Sequence, residues 1–133
     1  MECIECEGET TAFVVPEELR QHLPESASAA ALCASCLTLQ PPAPEETRHE
    51  EPEFTRISEA FPPDPEAAVP MALAVGLLES LALNRSKIEH LLEHVEAAGH
   101  DPLLVLDRLA DDGALDPVMD LAGRRRQLEQ LMG

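Results

Sequence analysis

The chain has 133 residues, with 26 Asp plus Glu against nine Lys plus Arg and a formal net charge of -17. It carries three Phe and no Trp or Tyr, yet 44% of it is hydrophobic, so the acidity does not come with the shortage of core residues that marks a disordered chain. A nucleic-acid platform needs a basic surface and aromatic faces for the bases, and this composition supplies neither.

The start, Met1-Glu2-Cys3, has neither the basic residues nor the apolar run of a signal peptide. The longest apolar stretch, Val69 to Leu78, spans ten residues, includes Pro70 and Gly76, and falls short of the roughly 20 residues of a membrane span. The expectation is a soluble cytoplasmic protein that does not enter a membrane.

All four cysteines lie in the first 36 residues as two C-x-x-C pairs, Cys3 with Cys6 and Cys33 with Cys36. Two thiolates on one tight turn can take neighbouring corners of a tetrahedron while the turn aims backbone N–H groups at the sulfurs, and a second turn closes the opposite edge. Two disulfides would suit a secreted chain. A redox pair would open a long helix after a strand, which neither pair does. A rubredoxin-like iron site uses the same four ligands. The preferred reading is structural Zn2+ held by Cys3, Cys6, Cys33 and Cys36, with no position left for water. Gly8 is expected to relax the backbone as it leaves the first turn.

Between the pairs, Thr10 to Val15 is β-prone. Pro16 followed by Glu17 and Glu18 starts a short helix running to about Leu23. Ala29 to Leu32 returns as the strand feeding the second pair, and Leu37 to Leu39 leaves it. Phe13, Val15, Leu19, Leu23, Leu32 and Leu39 would make a core too small to stand alone, so metal binding contributes directly to its folding.

Gln40 to Pro52 reads QPPAPEETRHEEP, a Pro-rich, acidic linker in which His49 is solvated. Phe54, Ile57 and Phe61 then recur at helical spacing, which implies a short segment docked on a core. From Asp64 onward the pairs Asp64-Pro65, Asp101-Pro102 and Asp116-Pro117 each place an N-cap acceptor before a proline suited to the first helical position. Asn84 is expected to cap a further helix, and Gly99 and Gly113 to turn the chain. The first helix, to about Leu83, is apolar on most faces and would be central, with a kink or a start at Pro70. The second, Arg85 to Ala98, carries a stripe of Ile88, Leu91, Leu92 and Val95. The third carries Leu103, Leu104, Leu106 and Leu109, and the fourth Val118, Leu121, Ala122, Leu128 and Leu131. The fold class is therefore small α+β: an N-terminal zinc ribbon over residues 1–40, a linker with a docking helix over 41–63, and an antiparallel helical bundle over 64–133.

His90-Leu91-Leu92-Glu93-His94 matches H-x-x-E-H, whose two imidazoles share a helix face and can bind one ion. Both lie off the apolar stripe, so solvated or surface-paired histidines are the preferred reading. A second metal site, or a metal-dependent hydrolase using His90, Glu93 and His94, is the alternative. His100 is read as a turn residue. Arg124, Arg125 and Arg126 would meet an acidic partner or offset Asp120, Glu129 and the helix end. Asp111 and Asp112 form no calcium loop.

The acids are spread evenly, seven in residues 1–40, eight in 41–66 and eleven in 67–133, and the bases are eight Arg and a single Lys. Such a coat suits a cytoplasm of molar salt, where self-repulsion is screened within roughly 3 Å.

The MECIEC start, TAFVVPEELR, the second C-x-x-C before LTLQP, and the closing HDPLLVLDRLADDGALDPVMDLAGRRRQLEQLM together resemble a family of small uncharacterised haloarchaeal proteins, a domain of unknown function. The resemblance covers nearly the whole chain and implies a halophilic, metal-stabilised cytoplasmic protein, with no reaction attached. A zinc knuckle often has Gly directly after its second Cys; here Glu7 and Leu37 stand there, a departure from the wider ribbon class. The resulting expectation is a non-enzymatic zinc-binding adaptor or regulatory protein, acting on a protein partner or as a homodimer and not on nucleic acid directly. A transcription-associated zinc-ribbon factor is the alternative binding role.

Overall fold

The structure, a computed structural model, describes residues 3–42 and 54–132. Most of the predicted linker, with His49, lies outside the described residues.

The N-terminal part is a three-stranded antiparallel sheet in the order β1-β2-β3, with β1 at Thr10–Val14, β2 at Ala29–Cys33 and β3 at Leu39–Gln40. The register pairs Thr10 with Cys33 and Ala31 with Gln40, so β2 is the central strand. All five of its residues, Ala29 to Cys33, are buried, as a central strand covered on both faces requires. Between β1 and β2 the expected short helix forms as a 3-10 helix over Glu17–His22, with both acids in its first turn. Leu37 does not join β3, because it takes a left-handed conformation at φ 63° in the turn before it.

Four helices follow: α1 at Pro65–Leu77, α2 at Leu81–Ala97, α3 at Pro102–Ala110 and α4 at Leu121–Met132. Helix α1 is the buried centre, with every residue from Ala67 to Val75 out of solvent, and it runs through Pro70 instead of starting there. It ends earlier than Leu83. A 3-10 turn over Leu78–Ser80, with Ser80 at φ -120° and ψ 56°, reverses the chain, and α1 and α2 pack on each other. The helical run Pro65–Ala97 has the length and hydropathy of a membrane span, but 61% of its apolar window is buried inside the protein. Folded as a hairpin, neither arm reaches the roughly 20 residues a span needs.

Asn84 lies inside α2 instead of capping it, and its amide donates to the Leu77 and Ser80 carbonyls at 3.5 and 3.1 Å, tying the hairpin turn. Asp101 caps α3 as its pairing with Pro102 implies, accepting from the Leu103 and Leu104 amides. Gly99 ends α2 at φ 94°, where His100 N–H reaches the Val95 carbonyl and Gly99 N–H the Glu96 carbonyl, the paired bonds of a left-handed helix end.

Asp116-Pro117 does not begin α4. Asp120 caps it instead, accepting from the Gly123 amide at 3.1 Å. The reason is a competing set of bonds: Asp116 N–H donates to the Ser35 carbonyl at 2.8 Å and Val118 N–H to the Cys36 carbonyl at 2.9 Å. These hold the segment against the second cysteine turn and out of the helix.

One apolar core runs through both parts, from Phe13 and Leu32 in the sheet to Leu106 and Leu128 in the bundle. Phe54 bridges it, with its ring 5.1 Å from that of Phe13 and 5.6 Å from that of Phe61, so the docking expected of this segment occurs. Helix α1 approaches the sheet so closely at Gly76 that a Cβ there would sit 2.4 Å from Leu39 Cβ. Only glycine allows that contact.

Candidate metal centre

The two C-x-x-C turns meet at the end of the sheet. Cys3 opens the first turn and Cys33 ends β2 and opens the second, and β1–β2 pairing brings Thr10 beside Cys33. The four Sγ atoms all lie within 4.8 Å of one another. The short edges run between turns, with Cys3 to Cys36 at 3.6 Å and Cys6 to Cys33 at 3.5 Å. A tetrahedral zinc with Zn–S bonds of about 2.3 Å sets S···S edges of about 3.8 Å. A disulfide needs about 2.05 Å, and all four cysteines are free. The donor set therefore fits a thiolate-bound ion, and among the described residues it is the one such group of His, Cys, Asp or Glu with donor atoms this close.

The two turns repeat one backbone design. Cys3 N–H donates to the Gly8 carbonyl at 2.7 Å and Cys33 N–H to the Thr38 carbonyl at 2.9 Å, five residues on in each case. The residue before each acceptor is left-handed, Glu7 at φ 62° and Leu37 at φ 63°. The missing glycines thus leave the knuckle geometry intact, at a cost of order 1 kcal/mol for each strained residue. Gly8 serves a different purpose from the expected one. It is not left-handed, and a Cβ on it would lie 3.3 Å from both Cys6 Sγ and Cys33 Sγ, so its small size keeps the space between the turns clear.

Backbone amides point at the sulfurs. Glu5 N–H donates to Cys3 Sγ at 3.4 Å, and Ser35 and Cys36 N–H donate to Cys33 Sγ at 3.3 and 3.4 Å. Thr38 Oγ1 lies 3.0 Å from Cys36 Sγ. These donors favour thiolates in a site where Cys3, Cys33 and Cys36 are 2%, 0% and 4% exposed and Cys6 lies at the surface. Burial pushes the Cys3 thiol up, but the hydrogen bonds to its sulfur, those from the Cys6 and Glu5 amides foremost, bring it down to about 7. Burial prevails at the other end of the cluster, raising Cys33 and pushing Cys36 up to about 12. A cation would offset that burial cost for both.

The support around the centre is shared by the whole chain. Gln40 Oε1 accepts from Ile4 N–H at 3.0 Å, fastening the tip of the first turn to β3. The 116–118 segment holds the second turn, as described above.

The other residues singled out in the sequence lie elsewhere. His90 and His94 are half-buried, not on open surface: His22 from the 3-10 helix packs on His90, with His22 Nε2 2.6 Å from His90 Nδ1, and the His94 ring packs on His90 in turn. Glu93 is exposed. His22 was detectable in principle, since Leu19, His22 and Leu23 share one face of their turn, but its partner lies in a distant helix. His100 pairs with Asp64 at 2.8 Å. Arg125 pairs with Asp107 at 2.9 Å and with Glu129, and Arg124 donates to Gln127 and to the Glu79 carbonyl. Asp112 accepts from the Ser58 hydroxyl at 2.7 Å.

Compared with known proteins, the chain matches a family of unknown function (DUF6276) over residues 2–132 and belongs to it. No curated protein and no solved structure matches it.

Proposed function

We propose that this member of its family holds one structural Zn2+ at Cys3, Cys6, Cys33 and Cys36 and acts as a non-enzymatic adaptor or regulatory protein through protein contacts. The observation that carries the metal reading is the convergence of four thiols within 4.8 Å on two turns of matching backbone geometry. Four sulfurs fill four positions, so the ion's part is to hold the turns together and to supply folding energy. Zinc is preferred to iron because the role asks for no electron transfer.

The adaptor reading rests on what the metal presents. Ile4, at the tip of the first turn, is 71% exposed although both neighbouring anchors are fixed, Cys3 by the cluster and its own amide by Gln40. An apolar side chain displayed on a rigid tip suits contact with a protein. The net charge of -17 disfavours direct nucleic-acid binding, so a transcription-associated role would also run through protein contacts. The hydrolase alternative is less well supported, since Glu93 is exposed and His90 is engaged by His22. The even acidic coat supports a high-salt cytoplasm as its setting.

Elemental analysis of protein purified without added metal tests the centre: one zinc per chain is expected, and Cys33→Ser should lose it and lower the melting temperature. Capture of a partner at molar salt should be abolished by Ile4→Asp while the zinc stays. Iron in place of zinc, or capture indifferent to Ile4, would contradict the reading.

A further inference from the structure

Three of the five histidines, His22, His90 and His94, meet where the 3-10 helix packs on α2. The ring centroids of His22 and His90 are 4.7 Å apart, and those of His90 and His94 are 5.0 Å apart. The 2.6 Å contact between His22 Nε2 and His90 Nδ1 holds one proton between two nitrogens, so one of them must present a lone pair. His22 is 6% exposed, and burial, with the fields of His90, Lys87 and His94, pulls its proton affinity below the ordinary histidine value. Neutral imidazole is the metal-binding form. His90 and His94, four residues apart, share a helix face. Beside His94 a cavity of about 300 Å³, with Glu18 and Glu66 in its wall, gives the ring room to turn.

We propose that His22, His90 and His94 form a second metal site, which takes a borderline divalent transition ion such as Zn2+ or Ni2+ between the two facing nitrogens of His22 and His90, the proton they share passing to the other nitrogen of the ring that carried it, so that every ligand stays a neutral imidazole. Imidazole nitrogens about 2.0–2.1 Å from a tetrahedral ion stand about 3.3 Å apart, so the His22–His90 pair opens by less than about 1 Å while His94 turns inward. Three nitrogens from two packed elements, with a position left over, make an exchangeable site, unlike the closed sulfur centre. The acidic chain attracts the ion, and Lys87, the chain's single lysine, opposes it.

The test is calorimetric titration of the full chain, already carrying one equivalent of zinc, with further ZnCl2 and separately NiCl2, with imidazole resonances followed by NMR. A second equivalent is expected, with shifts of the His22, His90 and His94 rings. His90→Gln and His94→Gln should each weaken it at least tenfold, and Lys87→Gln should tighten it, with the first zinc retained in all three. No second equivalent, or one indifferent to both histidine substitutions, would overturn the site. His94→Gln, beside the cavity, keeps the test sound should His90→Gln perturb folding, and retention of the first zinc separates this outcome from any failure of the cysteine centre.

Discussion

Glu7 and Leu37 occupy equivalent places in the two cysteine turns, at φ 62° and 63°, each one residue before the carbonyl that closes its turn. Their burial is opposite, Glu7 exposed and Leu37 buried in the shared core. The same substitution should therefore act with opposite sign. Glu7→Gly relieves left-handed strain and should stabilise the zinc-loaded protein by about 1 kcal/mol or less. Leu37→Gly gains the same relief but empties a core position and should destabilise by about 2–5 kcal/mol. Denaturant unfolding of the two variants measures both.

The segment before α4 ties the bundle to the metal centre. Val118→Pro removes the N–H that donates to the Cys36 carbonyl, at an exposed side chain whose own packing matters little. A loss of about 1–3 kcal/mol is expected, together with faster removal of zinc by a chelator. Val118→Ala, which keeps the N–H, should leave both unchanged.

Ser58 and Asp112 join the docking segment to the end of α3. The Ser58 hydroxyl, and after it the Ala114 amide, holds the Asp112 carboxyl below its ordinary value of 3.8. A carboxyl depressed in the folded state contributes stability that is full above the unfolded value and is lost as pH falls through the folded one. Ser58→Ala should lower the melting temperature at neutral pH and flatten the loss between about pH 4 and the folded value. Melting curves across that range, with and without the substitution, show whether the slope belongs to this pair.

Much of the fold was legible in the sequence because it rests on local signals. The paired cysteines mark the two turns, a β-prone run marks β1, the return to the second cysteine pair marks β2, and the Leu and Ala stripes mark the helices. Asp101 caps α3 where its proline pairing places it. What was not legible depends on contacts distant in the chain. Asp116-Pro117 has the local chemistry of a helix start, but backbone bonds to Ser35 and Cys36 hold it out of the helix. His90 and His94 sit off the apolar stripe of α2, yet His22, 68 residues before His90, packs on His90, and His90 on His94. The knuckle glycines are absent, but the hydrogen bonds that close the turns impose the conformation that glycine would have favoured.

Cobalt substitution tests the sulfur centre most directly. Co2+ added to metal-free protein should give, at one equivalent, sulfur-to-cobalt charge-transfer bands with the intense visible absorption of a tetrahedral thiolate complex, and zinc should bleach them. A weak octahedral spectrum with no sulfur band, or one unchanged in Cys33→Ser, would contradict it.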